Sequence, residues 1–139
     1  MKCLAVIDTN VIVSALISKN INSPTKNVLR AMLNGDIVPL YHEEIINEYE
    51  DVLKRKKFNI KEETINLVIE AIKEFGIEIN PKSTGEILID NDDLIFYEVA
   101  MDKQESDAYL VTGNLKHYPN KKFIVTPLEM VDILNKQHE

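Results

Sequence analysis

The chain has 139 residues, 45% of them apolar and 28% charged, and a formal charge of −7 at pH 7. That length suits one domain, residues 1–139, with a sizeable core. The acidic balance argues against binding nucleic acid by charge alone, and no apolar run reaches the roughly 20 residues a membrane-spanning helix needs. The single cysteine, Cys3, reads as a small core residue and leaves no internal disulfide, which fits a cytoplasmic protein, and the short run that ends at Asp8 does not resemble a signal peptide.

In chain order, Lys2 to Ile7 is a continuous apolar run of the kind a buried parallel strand shows. Val11 to Ile17 reads as a helix that opens just after Asp8. In "SPTKNVLRAMLNGD", Ser23 stands where a helix N-cap would, Pro24 takes the first helical position and Gly35 closes the helix. "IVPLY" is a strand whose Pro39 points to an edge or a strand end. "HEEIINEYEDVLKRKKF" is strongly helical, with Ile45, Ile46, Tyr49, Val52 and Leu53 on one apolar stripe. Asn59 and Glu62 have the spacing of a capping pair for the next helix. That helix carries Ile65, Val68, Ile69 and Ile72 on its inner face and ends near Phe75 at Gly76. A link near Lys57 to Ile60 would make the two helices a hairpin. "EILID" reads as a strand, "LIFYEVAMDK" as a helix, "AYLVTGN" as a strand ending in a glycine turn, "KFIVT" as a last strand, and Pro127 to Lys136 as a last helix. Strands alternating with helices predict an α/β fold with right-handed crossovers.

Polar groups fall at three predicted strand ends: Asp8, the pair Asp92 and Asp93, and Asn114. In an open parallel sheet these ends line the crevice where ligands bind. Carboxylates that converge there repel and need a cation, and oxygen ligands select Mg²⁺ or Mn²⁺. Each residue also has a plain structural role: Asp8 as a helix cap, Asp92 and Asp93 as cap and turn, Asn114 as a turn residue after Gly113. On the helix, Glu48 and Glu50 border opposite edges of the apolar stripe, and periodicity does not choose between them. His42, His117 and His138 lie far apart without metal-ligand spacing and read as surface or cap residues.

The stretches "AVIDTNVIVSAL", "EEIINEYEDVLKRKKF", "DDLIFYEVA" and "YLVTGNLKHYP" together resemble a PIN-domain nuclease over essentially the whole chain. The resemblance implies a three-layer α/β/α sandwich with a mostly parallel, Rossmann-like central sheet. It also implies endoribonuclease activity dependent on Mg²⁺ or Mn²⁺, and close relatives are described as toxin components of toxin–antitoxin systems. Its three acids map to Asp8, Glu48 and Asp93, which would be the catalytic and metal-holding residues. Thr9 and Asn10 match the small polar residues beside the first acid. Many PIN domains carry an aspartate in "VTGD", where this chain has Asn114; with Asn10, Thr9 and Asp92 it would orient ligands or water, and Asp92 or Asp107 would make up the missing charge.

What the resemblance implies about partners is an RNA substrate and an antitoxin protein; the helical hairpin from about His42 to Phe75, long for a chain this size, suits a homodimer or antitoxin docking, and no membrane contact is expected. Candidate RNA contacts are the basic run Lys54, Arg55, Lys56 and Lys57, together with Lys116; as ordinary solvated surface these residues need no explanation. Two alternatives stand beside this reading. A non-catalytic PIN-like RNA- or protein-binding module would keep the fold. A haloacid-dehalogenase-like phosphatase also begins with a strand ending in Asp, but needs a second Asp where this chain has Asn10.

Overall fold

The computed structural model describes residues 2–137, so His138 lies outside the described residues. Five strands form one sheet: β1 (Cys3–Ile7), β2 (Ile37–Tyr41), β3 (Ile77–Glu78), β4 (Tyr109–Val111) and β5 (Ile124–Val125). Six helices flank it: α1 (Thr9–Ile17), α2 (Pro24–Asn34), α3 (Glu43–Leu53), α4 (Glu62–Phe75), α5 (Leu94–Asp102) and α6 (Pro127–Gln137). The strand order is β3-β2-β1-β4-β5, and every neighbouring pair is parallel. The α/β architecture with a parallel sheet is therefore the one expected.

The apolar run of β1 makes it the central strand. Ala5 and Val6 are fully buried, because both faces of β1 are covered. On one side α1 packs on α2 and α2 on α6; elsewhere α3 packs on α4 and α5, and α5 lies against β1, β2 and β4. The predicted inner residues of α4, Ile65, Val68, Ile69 and Ile72, are all buried. The start and stop signals of α2 also hold. Ser23 accepts from the Lys26 backbone N–H, and Gly35 takes the left-handed conformation, φ 91°, that favours glycine.

Several boundaries differ from expectation. "EILID" is not a strand: residues 80–89 have no regular structure, and Ile87 and Ile89 are 93% and 81% exposed. The third strand is instead the short Ile77–Glu78, which follows directly on α4. Alternation of Ile with polar residues in 86–90 gives strand propensity, but β3 has already taken the place beside β2. The basic run is not helical throughout, since α3 ends at Leu53 and a 3-10 turn spans Lys56–Phe58. Asn59 does not cap α4. It sits in the left-handed region, φ 51°, closing that turn, and the N-cap position belongs to Lys61, which makes no side-chain cap bond. Pro39 is not on the sheet edge, because β3 lies outside β2. It stands just before the outer ladder begins, since β3 pairs only from Leu40 onward.

Gly76 ends α4 for a reason other than backbone freedom. Its φ of −92° suits any residue. The constraint is close approach: a Cβ there would come within 2.4 Å of the Ile72 carbonyl oxygen and 2.5 Å of the Pro39 carbonyl oxygen. Both are backbone atoms and cannot swing aside. Gly76→Ala is therefore expected to cost about 2 kcal/mol or more in urea unfolding, whereas Ile89→Ser, at a solvated position, should stay within about 0.5 kcal/mol of wild type. Equal effects of the two substitutions would contradict this account of the α4–β2 junction.

Candidate active site

The chain lays β2 and β3 on one side of β1 and β4 and β5 on the other, so the strand order reverses between β1 and β4. At such a switch point the connections diverge and leave a crevice at the carboxyl ends of the strands. Ile7 and Val111 are paired at the end of the ladder, and the Asp8 N–H donates to the Val111 carbonyl at 2.9 Å. Asp8 is thus carried into the crevice by the last rung of the β1–β4 pairing.

Asp8 is only 4% exposed. It stands at the N-cap position of α1, yet its side chain makes no cap hydrogen bond. Instead its Oδ2 accepts from the Thr112 hydroxyl at 2.7 Å and from the Tyr118 hydroxyl at 3.4 Å. Burial pushes its carboxyl above the ordinary range, against the pull of these donors and of the Thr9 backbone.

Two contacts dock α3 on the junction of β1 and α1. The Tyr49 hydroxyl donates to the Ile7 carbonyl, and the Thr9 hydroxyl donates to Glu48 Oε2. The partners are neighbours in sequence on both sides, so the pair of bonds fixes Glu48 toward Asp8. Burial raises the Glu48 carboxyl, and the charges of Asp8, Asp92 and Asp93 raise it further, while Thr9 lowers it. Glu50 goes elsewhere, lining a separate cavity with Tyr41, Lys73 and Glu78.

Asp93 is carried not by a strand end, as expected, but by a 3-10 turn, Asn91–Asp93, that leads into α5. It is 9% exposed, and its Oδ2 lies 3.1 Å from His117 Nδ1. Burial raises its carboxyl, followed by the charge of Asp8; His117 lowers it. Asp8, Glu48 and Asp93 therefore sit within electrostatic reach of one another. Among the described residues, no Lys or Arg forms an ion pair with any of the three.

Beside them an open cleft of about 370 Å³ is lined by Glu44, Glu48, Asn91, Asp92, Leu94, Ile95 and Glu98. Asp92 itself is exposed and its charge acts on Glu48. Asn10 is exposed on the first turn of α1. Asn114 is half-buried, and its backbone N–H donates to the Thr112 hydroxyl at 3.0 Å. Asp107 is not brought to the site: it precedes β4 and lines a cavity with Lys2, Cys3 and Tyr109 at the opposite end of the sheet. Lys116 adjoins His117 in a 3-10 turn, Leu115–His117. Lys54 to Lys57 are exposed beyond the end of α3, where Arg55 pairs with Asp51 and Lys57 lies over the Phe58 ring.

Sequence reasoning missed Thr112, Tyr118 and the role of His117. His42 does cap α3, accepting from the Glu44 N–H at 3.1 Å, and Cys3 is a buried core residue, but His117 is neither a cap nor free surface. The signal was present in "VTGNLKHYP", where five polar or aromatic side chains, Thr112, Asn114, Lys116, His117 and Tyr118, follow one strand end at the crevice. Nothing in the spacing alone says that they reach acids far away in the chain.

The chemistry of the donor set fits a hard divalent cation. Three carboxylates with raised proton affinity share a crevice in which His117 is the only ionisable nitrogen contact among the described residues. As the side chains stand, no group of three or more His, Cys, Asp or Glu among the described residues is set to hold a metal ion. Each acid is turned instead to a separate donor.

A parallel α/β sheet with acids at its switch point has the layout of an open α/β fold whose ligand crevice lies at the carboxyl ends of the strands. The PIN domain family model matches residues 4–116, and the chain belongs to that family, whose members are generally nucleases and generally metal-dependent. Membership in this family rules out the haloacid-dehalogenase-like alternative. Among curated proteins none gives a significant match. No helix among the described residues is long and apolar enough to cross a membrane.

The raised carboxyls set a pH dependence. In the metal-free protein Asp8, Glu48 and Asp93 hold protons more tightly folded than unfolded. The stability these three groups contribute is fully present below the unfolded carboxylate pKa of about 4 and is lost as pH rises through their raised folded values. Asp8→Asn removes one such group, so the loss of Tm from about pH 4, the unfolded value, to about pH 8 should be smaller than in wild type. Superimposable pH profiles in thermal melts with chelator present would contradict the shifted Asp8.

Proposed function

We propose that the chain is a single nuclease domain over residues 1–139 that hydrolyses RNA phosphodiester bonds, with Asp8, Glu48 and Asp93 as its catalytic acids. The observation that carries this reading is the gathering of three carboxylates, without an Arg or Lys counter-ion, at the switch point of a PIN-domain sheet. Such a cluster is costly to build unless a cation completes it. Asp8, Glu48 and Asp93 would hold Mg²⁺ or Mn²⁺ directly or through water. The bound ion would polarise the scissile phosphate and lower the pKa of an attacking water. Thr9, Thr112 and Tyr118 would orient the carboxylates, while Asp92, Asn10 and Asn114 would orient ligands or water. Lys116 and the run Lys54 to Lys57 would track phosphates of the RNA.

The reading extends to a cytoplasmic toxin of a toxin–antitoxin pair. An antitoxin or a second copy would dock on the α3–α4 hairpin, where Leu67 and Phe75 of α4 are 68% and 54% exposed. Light scattering and co-purification with the neighbouring gene product test this part separately from the chemistry.

For the chemistry, wild type should cleave single-stranded RNA with Mn²⁺, more slowly with Mg²⁺, and not with EDTA. Asp8→Asn, Glu48→Gln and Asp93→Asn should each lose about 100-fold or more, since even partners that only orient metal ligands are worth 10- to 100-fold. RNA binding without cleavage in any metal would favour the binding-module reading instead. A second test concerns Asn114, which brings no charge. Asn114→Asp adds a carboxylate worth on the order of 1 kcal/mol toward a divalent ion at partly solvated separations, so Mn²⁺ should bind several-fold more tightly in calorimetric titration. Equal affinities would mean that Asn114 does not face the ion.

A further inference from the structure

Two adjacent side chains, His117 and Tyr118, reach two acids from different elements. His117 Nδ1 lies 3.1 Å from Asp93 Oδ2, at the start of α5, and the Tyr118 hydroxyl donates to Asp8 Oδ2, at the end of β1. The turn that carries them is itself tied down. The His117 N–H donates to the Asn114 carbonyl at 3.0 Å, the Tyr118 N–H to the Leu115 carbonyl at 3.2 Å, and the Asn114 N–H to the Thr112 hydroxyl at 3.0 Å. That same Thr112 hydroxyl donates to Asp8 Oδ2. The turn after β4 is thus locked to Asp8 through Thr112 and reaches out to Asp93 through His117.

We propose that His117 and Tyr118 form a clamp that sets the spacing of Asp8 and Asp93 for a divalent cation. Both are positioning residues; neither need touch the ion. The inference rests on the metal-dependent reading of the site given above. Two carboxylates in a shared crevice repel and, untied, would turn apart toward water. A donor on one oxygen of each holds the pair in place and leaves the second oxygen with lone pairs to give. Glu48 follows the same pattern, with Thr9 on Oε2. An ionised carboxylate only accepts, so at 3.1 Å from Asp93 Oδ2 the Nδ1 of His117 pairs with it as a donor in the Nδ1–H tautomer. Tyr118 is 7% exposed, and the buried site of its hydroxyl makes the donor a fixed one.

The test is calorimetric titration of Mn²⁺, without RNA, into wild type, His117→Ala, His117→Asn and Tyr118→Phe, each first checked for the wild-type circular dichroism spectrum. The His117 side chain is 41% exposed, so its replacement leaves the core intact. His117→Ala should weaken Mn²⁺ binding about tenfold, and Tyr118→Phe should weaken it severalfold. His117→Asn, whose amide N–H can donate from close to the Nδ1 position, should recover most of the loss. Wild-type affinity in both His117→Ala and Tyr118→Phe would overturn the clamp while leaving the metal site standing. Loss in His117→Ala without recovery in His117→Asn would also overturn it, since the ring would then act as more than a donor. A wild-type protein that binds no Mn²⁺ would overturn the metal reading and the clamp together.

Discussion

The site depends on one hydrogen bond across the middle of the sheet, from Thr112 after β4 to Asp8 after β1. Asp8 is only 4% exposed, and at such a buried position an unpartnered carboxylate would be expelled or neutralised. It is kept in place because the β1–β4 ladder runs one rung past the last strand residues and delivers a hydroxyl to its oxygen at 2.7 Å. The strand order puts this rung where the order reverses, between β1 and β4, and connections leave in opposite directions. Topology therefore supplies the crevice, and the register of one strand pair supplies the acid within it.

Around that bond the other acids are held by their neighbours. Glu48 depends on α3 being docked by Tyr49 on the Ile7 carbonyl and by Thr9, the residue after Asp8. Asp93 depends on α5, which lies against β1, β2 and β4 and starts from a 3-10 turn at the mouth of the crevice. Three carboxylates with raised proton affinity are a cost that the fold bears in the absence of a cation. Every buried side-chain polar atom among the described residues is nonetheless hydrogen-bonded, so that cost lies in charge and desolvation and not in missing partners.

The fold was readable from the sequence where local signals agreed with tertiary demands. The Ser23, Pro24 and Gly35 punctuation of α2 and the inner stripe of α4 depend on nearest neighbours and a 3.6-residue period, and both appear as expected. "EILID" misled because alternation reports strand propensity but not whether a sheet edge is open to receive the strand. Gly76 was expected as a helix stop. That two backbone carbonyls crowd it follows only from where β2 lies. At the candidate site, Asp8 at a strand end was readable from position alone, whereas Glu48 could not be told from Glu50 by periodicity. Their separation here, one bonded to Thr9 and the other lining a different cavity, is a consequence of how α3 docks. Thr112, His117 and Tyr118 were out of reach because their partners are distant in sequence.

The central claim is that Asp8, Glu48 and Asp93 serve one divalent cation. A crystal structure of the protein soaked in Mn²⁺, with the anomalous signal collected at the manganese edge, addresses it most directly. The account predicts one anomalous peak in the crevice, with oxygens of these three residues at about 2.1 to 2.3 Å or one water removed from it, and with Thr112 and Tyr118 still on Asp8. A peak elsewhere, or a saturated soak that leaves the crevice without manganese while Glu48 stays on Thr9 and Asp93 on His117, would contradict it.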